Sequence, residues 1–214
     1  MNFIFTIREI IKRKSLARAL MHEEVKNHYI EGVVLDIGGI NKPEYINYFS
    51  KGEIKYESID LKSPEQRLRV NLETDKLPFD SNSVDYILMF NVLEHIFNYS
   101  NSINESSRVL KGDGAVFGFV PFLVRYHPDP NDYFRYTKDA LSKIFEVSGF
   151  SKIKIKEIGG GPFAANYNNI VLSIPVICRI IIFPFLYLAD LVFIKLRPNA
   201  KEKYPLGYFF ELRK

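Results

Sequence analysis

Hydrophobic residues change their period several times along this chain, and each change predicts an element. Ile7, Ile10, Ile11, Leu16, Leu20 and Met21 form a loose helical stripe, which predicts one or two helices over residues 7–28. From Val33 onward the apolar runs become short and continuous. Val33-Val34-Leu35 predicts a buried strand that ends in Asp36-Ile37-Gly38-Gly39. Tyr56 to Asp60, Val84 to Phe90 and Ala115 to Val120 predict three more strands, the last entered through the turn Lys111-Gly112-Asp113-Gly114. Ser102 to Leu110 predicts a helix between the third strand and the fourth. Thr137 is placed to cap a helix over 138–148, with Ala140, Leu141, Ile144 and Phe145 as its buried face and Gly149 as its stop. Lys152 to Lys156 alternates with period two, as a strand with one wet face does, and Tyr204 to Leu212 is a further strand. Strands separated by helices predict a mostly parallel α/β sheet, with ligands bound where the strand C-termini meet the first crossover.

Composition narrows the function classes. The 214 residues are 47% hydrophobic and carry a net charge of +4, enough apolar content for a real core and too little charge for a disordered chain. The single cysteine, Cys178, excludes an intramolecular disulfide, and His22, His28, His95 and His127 have none of the usual metal-ligand spacings, so no metal is expected. The charge is uneven. Residues 151–214 hold 10 Lys/Arg and 4 Asp/Glu, whereas residues 1–150 hold 19 basic and 21 acidic groups and are slightly acidic. The basic third also contains the longest apolar run, Ile170 to Ile194, 25 residues interrupted by Ser173, Pro175, Arg179, Pro184 and Asp190. A basic and apolar segment suits an anionic membrane surface better than nucleic acid, for which no motif is present. The N-terminus lacks the order of a secretory signal, so the expected location is cytoplasmic, with a peripheral place on the inner face of the membrane as the option the basic, apolar segment leaves open.

Four groups converge on one sheet edge: Asp36 with Gly38 and Gly39 after the first strand, Asp60 after the second, Asn91 after the third and Pro121 after the fourth. Small residues let backbone approach a ligand, and a carboxylate ending the second strand can accept two hydrogen bonds from ribose hydroxyls. A nicotinamide dinucleotide would need a third loop glycine and, in the short-chain enzymes, a tyrosine four residues before a lysine; neither is present.

Val34-Leu35-Asp36-Ile37-Gly38-Gly39, Ser58-Ile59-Asp60-Leu61, Leu77-Pro78-Phe79-Asp80-Ser81-Asn82-Ser83-Val84-Asp85 and Asn91-Val92-Leu93-Glu94-His95 resemble, in order and spacing, the class I S-adenosylmethionine-dependent methyltransferases, specifically their type 11 small-molecule branch. The resemblance spans about residues 32–158, with 204–212 similar to the family's last strand. It implies a Rossmann-like, seven-stranded, mostly parallel sheet with helices on both faces and an antiparallel last strand. The domain would cover 32–214, with an N-terminal helical extension over 1–31 and an apolar helical insertion at about 165–197. It implies S-adenosylmethionine as cofactor: Asp36, Gly38 and Gly39 around the methionine moiety, Asp60 on the ribose, Leu61 against adenine, and Asn71 and Leu72 at the adenine edge, with Asn91 on the same rim. Ile40 replaces a usual glycine, and Asn41-Lys42-Pro43 is atypical, which expects a reshaped cofactor loop.

The acceptor side is expected in residues 121–136, which hold one His, two Asp, two Arg and three Tyr beyond the sheet edge. His127, oriented by Asp129 or Asp132, is the candidate base, and His95 the second candidate. Asp132, Tyr133, Arg135 and Tyr136 are the candidate substrate contacts. The string from His127 to Thr137 resembles a pattern in methyltransferases from bacterial surface-polysaccharide gene clusters, which implies a sugar or lipid-linked glycan acceptor methylated on oxygen. The competing class is a catalytically silent scaffold on the same sheet at the membrane surface. The apolar run is long enough to cross a bilayer, but Arg179 and Asp190 would each cost roughly 2.5 to 3.5 kcal/mol there, and the last strand must return to the sheet. The run is therefore expected to break at Pro184 into two helices that pack on the domain, join two copies in a homodimer, or lie in the membrane interface.

Overall fold

The computed structural model describes residues 1–39 and 43–214. The reshaped loop expected at Ile40, Asn41 and Lys42 lies outside the described residues. Two short helices lead: α1 (Phe3–Ile11), capped by the Asn2 side chain, and α2 (Leu16–Val25), capped by Ser15. The sheet is built from β1 (Tyr29–Ile37), β2 (Ser50–Ile59), β3 (Val84–Phe90), β4 (Leu110–Pro121), β5 (Lys152–Gly159) and β6 (Pro205–Arg213), in the order β2-β1-β3-β4-β6-β5. The β1–β2, β1–β3 and β3–β4 pairs are parallel, and β6 runs antiparallel between β4 and β5.

Among the described residues the sheet has six strands rather than seven, and two of the five pairings are antiparallel. Each of the six strands has its own apolar run in the sequence; the seventh rested on the family pattern alone. Between Ile59 and Val84 no strand lies among the described residues. The chain instead makes the short turn Gln66–Leu68 and runs through Pro64, Pro78 and a string of charged residues, which leave too little apolar sequence for a strand. The expected turn at Lys111-Gly112-Asp113-Gly114 is absorbed into β4, where the register with β3 slips between Val84 and Tyr86.

Both faces are covered. Alternate β3 residues point opposite ways, Leu88 and Phe90 into the core beneath α1, α2, α5 (Pro162–Ile170) and α6 (Val176–Leu196), Ile87 and Met89 into the core beneath α3 (Tyr99–Val109) and α4 (Lys138–Val147). As expected, Thr137 caps α4 by accepting a hydrogen bond from the Ala140 N–H, and Gly149 ends the segment at φ +87°.

Pro184 does not break the apolar run. It sits inside α6, a continuous 21-residue helix, and the break falls earlier, where Pro175 forces Ile174 into the extended region at φ −113°, ψ 152°. Pro184 removes one N–H from the ladder, a loss the helix absorbs because Phe183 beside it is fully packed, in ring contact with Tyr167, Phe3 and Tyr187. The two charges of the run turn inward. Asp190 accepts from the Phe163 and Ala164 N–H groups (3.1 and 2.6 Å) and so caps α5, which has no side-chain cap of its own. Arg179 donates to the carbonyls of Ile174 and Leu172 (2.8 and 3.2 Å).

Candidate active site

The C-terminal ends of β1, β2, β3 and β4 lie side by side, as expected, and the loops leaving them carry the candidate residues. Gly38 bonds back to β2 through its N–H on the Ile59 carbonyl (2.8 Å) and adopts φ +77°. A Cβ there would sit 2.7 Å from Val92 Cγ2, and a Cβ on Gly39 would sit 2.4 Å from the Asp36 carboxyl carbon. Neither position tolerates a side chain, so the turn is a close-packed cradle of bare backbone.

Asp36 plays a different part from the expected one. Its carboxylate is fully buried behind Gly39 and accepts hydrogen bonds from the hydroxyls of Tyr45 and Tyr56, each at 2.7 Å. Burial outweighs those two hydroxyls and pushes its pKa up to about 7. It therefore supports the loop from beneath rather than reaching a ligand. Asp60, at the end of β2, accepts the Lys62 N–H at Oδ1 (2.7 Å), which orients the carboxylate. Leu61 beside it is exposed. Asn71 spends its side-chain oxygen on the Glu73 N–H, and Leu72 is half-buried in the core.

After β3 the chain turns sharply at Asn91, which takes φ +55° while its N–H continues the ladder onto the Phe119 carbonyl (2.9 Å). A single 3₁₀ turn, Leu93–His95, follows. The loop after β4 folds back over that turn, pinned by the Tyr133 N–H on the Glu94 carbonyl (2.7 Å) and by the Tyr136 hydroxyl on the Leu93 carbonyl (3.1 Å). His95 and His127 are thereby brought together, ring centroids 5.2 Å apart and edge to face. Both border a cavity of about 350 Å³, whose walls include Asn91, Pro121, Arg125 and Asp129 on the sheet side and Ser15, Arg18, Asn168 and Leu172 from α2 and the segment around α5.

Several candidate roles change. Asp132, not Asp129, faces His127: it accepts the His127 N–H (2.9 Å) and lies 3.5 Å from its Nδ1. Asp129 is exposed and paired with Lys62 at 2.7 Å, a contact that joins the acceptor loop to the segment after Asp60. Arg135 is occupied by a two-pronged pair with Asp132 (2.5 and 2.6 Å), which holds the Asp132 carboxyl down at about 2. Tyr136 is buried with its hydroxyl used, so neither it nor Arg135 is free for substrate. Tyr133 remains exposed, its ring against Phe97.

The residue overlooked in the sequence is Glu94. It is fully buried, and among the described residues neither carboxylate oxygen accepts a hydrogen bond. Its Oε1 lies 3.6 Å from His127 Nε2 and 3.7 Å from His95 Nε2. That carboxylate is the chief cause of a raised His127 pKa; partial burial opposes it, and the Arg125 carbonyl and Asp132 add to it. The signal in the sequence was adjacency: Glu94 directly precedes His95.

A larger hollow of about 740 Å³ opens at the opposite end of the strands, near Lys55, Pro78 and Arg108. Its guanidinium is tied to Glu105, Leu77 and Phe79, so the hollow offers little convergent chemistry.

Residues 49–118 match the family described as "Methyltransferase domain". Among curated proteins, the chain is 33% identical over 107 residues to an uncharacterized protein of Methanocaldococcus jannaschii, covering 49% of this chain and 41% of that one. It is 28% identical over 115 residues to a demethylmenaquinone methyltransferase of Staphylococcus haemolyticus (40% and 48%), and 26% identical over 93 residues to a probable S-adenosylmethionine-dependent methyltransferase of Mycobacterium tuberculosis (41% and 34%). The chain thus spans between a third and a half of the length of the curated relatives it matches. Among solved structures it is similar to a SAM-dependent methyltransferase from Aquifex aeolicus (TM-score 0.51, 18% identity, 72% of this chain and 93% of that one). It is similar also to the [4+2]-cyclase SpnF (TM-score 0.58, 15% identity, 94% and 84%). These likenesses establish the fold, which a [4+2]-cyclase and a SAM-dependent methyltransferase share. Residues 49–118 are thus similar to a methyltransferase domain, and the chain shares its fold with solved S-adenosylmethionine-dependent methyltransferases.

Proposed function

We propose that the chain transfers a methyl group from S-adenosylmethionine to a hydroxyl of a sugar or glycan held in the 350 Å³ cavity. The observation that carries this reading is the convergence, at one sheet edge, of the glycine cradle, the Asp60 carboxylate and the Glu94–His95–His127 cluster. The cradle fits the cofactor because its two glycines leave backbone bare where a Cβ would collide. Asp60 would hold the ribose, and Leu61 would cover adenine. When bound, the cofactor supplies an electrophilic methyl on a sulfonium, whose carbon–sulfur electrons stay on sulfur as the new oxygen–carbon bond forms. This chain's residues position the acceptor oxygen and relieve it of its proton at the Glu94–His95–His127 cluster. Asp129 and Lys62, joined across the mouth, would restrict how water enters.

Calorimetry with S-adenosylmethionine and S-adenosylhomocysteine tests the cofactor half. Wild type is expected to bind both. Asp60→Ala, which removes up to two charge-assisted hydrogen bonds of roughly 1.5 to 3 kcal/mol each, is expected to weaken binding at least tenfold. Absence of binding by wild type would favour a silent scaffold.

A further observation supports delivery of the acceptor from a membrane. Ile177, Ile181, Phe185, Leu188, Val192 and Leu196 recur three or four residues apart along α6 and are all exposed, whereas Arg179 and Asp190 face the domain. Lys195 and Arg197 sit at the end of the stripe, suited to anionic head groups. A full crossing conflicts with the return of β6 between β4 and β5, so the helix would lie in the interface. Leu172 both borders the cavity and is exposed near the start of α6, so a lipid-linked glycan could enter from that side. The expected outcome is sedimentation with phosphatidylglycerol vesicles at low salt, weakened at least tenfold in Phe185→Glu. No sedimentation of wild type would remove the membrane from the proposal.

A further inference from the structure

Glu94, His95 and His127 converge as a candidate ligand set. Each imidazole places Nδ1 against a main-chain carbonyl, His95 on Asn131 (2.5 Å) and His127 on Arg125 (3.2 Å). A carbonyl can only accept, so Nδ1 of His95 carries the hydrogen and its Nε2 turns inward, while Nδ1 of His127 lies between the Arg125 carbonyl and the Arg135 guanidinium (3.3 Å) and its Nε2 likewise faces the cluster. The two Nε2 atoms face the same oxygen, Glu94 Oε1, at 3.7 and 3.6 Å. These distances exceed a hydrogen bond. They match the spacing between ligands on one ion: metal–nitrogen bonds of about 2.0 to 2.1 Å at a tetrahedral angle put neighbouring ligand atoms about 3.4 Å apart. All three ligand atoms lie within 4.8 Å of one another. Backbone carbonyls holding Nδ1–H are also the usual outer support of metal-bound histidine.

Glu94 supplies an independent observation. It is fully buried, aimed between the two imidazoles, and without a hydrogen bond at either oxygen among the described residues. A bare carboxylate in that position is costly unless a cation meets it. We propose that Glu94, His95 and His127 bind one divalent transition-metal cation of the zinc, cobalt or iron class, with its open position facing the cavity. Two imidazole nitrogens and one carboxylate favour these ions over magnesium and calcium, which prefer oxygen shells. Cation binding stands independently of the methyltransferase reading; its consequence for the acceptor rests on it. With the cation bound, the cluster would act through it rather than as a base: an acceptor hydroxyl on the open position would lose its proton to water more readily, and the oxygen left behind would be the nucleophile.

Full-length protein stripped with a chelator and titrated with Co²⁺, Zn²⁺ and Mg²⁺ tests the site. Wild type is expected to bind one Co²⁺ or Zn²⁺ per chain, with visible Co²⁺ absorption of low coordination number, and to bind Mg²⁺ at least 100-fold more weakly. Glu94→Gln and His127→Gln are expected to lose at least 100-fold in Co²⁺ affinity, while His28→Gln, away from the cluster, retains it; melting curves confirm that each variant is folded. Binding of S-adenosylmethionine is measured on the same samples. Cofactor binding with no Co²⁺ or Zn²⁺ binding by wild type would overturn the metal site and leave the methyltransferase reading intact. Metal binding that survives both cluster variants would overturn it as well, whereas metal binding without cofactor binding would support the site and count against the methyltransferase reading.

Discussion

Asp36 makes a sharp prediction because its surroundings are closed. The carboxylate is fully buried, with the Tyr45 and Tyr56 hydroxyls as donors, and its pKa rises from the ordinary 3.8 to about 7 because burial outweighs both hydrogen bonds. A folded-state value above the unfolded one means that folding binds a proton. The associated stability is complete below about pH 3.8 and is lost as the pH rises through about 7. At ~1.4 kcal/mol per tenfold change, the full loss is ~4 kcal/mol, of which roughly 2 to 3 kcal/mol falls between pH 5 and pH 8. Asp36→Asn keeps the shape and cannot ionise. Urea unfolding followed by circular dichroism at pH 5, 6.5 and 8 is expected to show the variant gaining on wild type by roughly 2 to 3 kcal/mol across that range. Tyr56→Phe, which removes a donor to the carboxylate, is expected to lose more stability than wild type across that range. Parallel pH profiles for wild type and Asp36→Asn would refute the account of a buried carboxyl that resists ionisation.

Two further predictions concern the loops. Gly38→Ala combines a left-handed backbone at φ +77° with a Cβ 2.7 Å from Val92 Cγ2. It is expected to cost roughly 1 to 3 kcal/mol by thermal or urea unfolding and to weaken S-adenosylmethionine binding in calorimetry, since the cradle must deform. Arg135→Gln removes the chief cause of the low Asp132 pKa, leaving a side chain only 1% exposed without its cation. The expected loss is about 2 to 4 kcal/mol at neutral pH. The sign follows from a depressed pKa: stability present above about pH 3.8 is lost as the pH falls toward about 2, so removing Arg135 should move the acid transition of unfolding to higher pH.

What could be read in the sequence was what lies on one element. Asp36-Ile37-Gly38-Gly39 is a strand end and its turn, Thr137 and Gly149 bracket one helix, and six apolar runs became six strands, because periodicity and capping are local. The seventh strand was borrowed from a family average, and the residues after Asp60 are too polar and proline-bound to supply it. Pro184 misled for a related reason: its local effect is to break a helix, but Phe183 and its aromatic neighbours hold α6 together from outside the helix. The site shows the same division more strongly. Tyr56 reaches Asp36 because the β1–β2 register sets Asp36 opposite Ser58, two residues along the same face. Glu94 became a shared neighbour of His95 and His127 only when the loop after β4 closed over the turn after β3, through the Tyr133 N–H on the Glu94 carbonyl. No spacing rule encodes that closure, since it depends on a long loop returning at one register. A search for ligand spacings along the chain therefore finds no metal set, while the fold places three ligand atoms around one point and leaves a buried carboxylate there that, among the described residues, accepts no hydrogen bond.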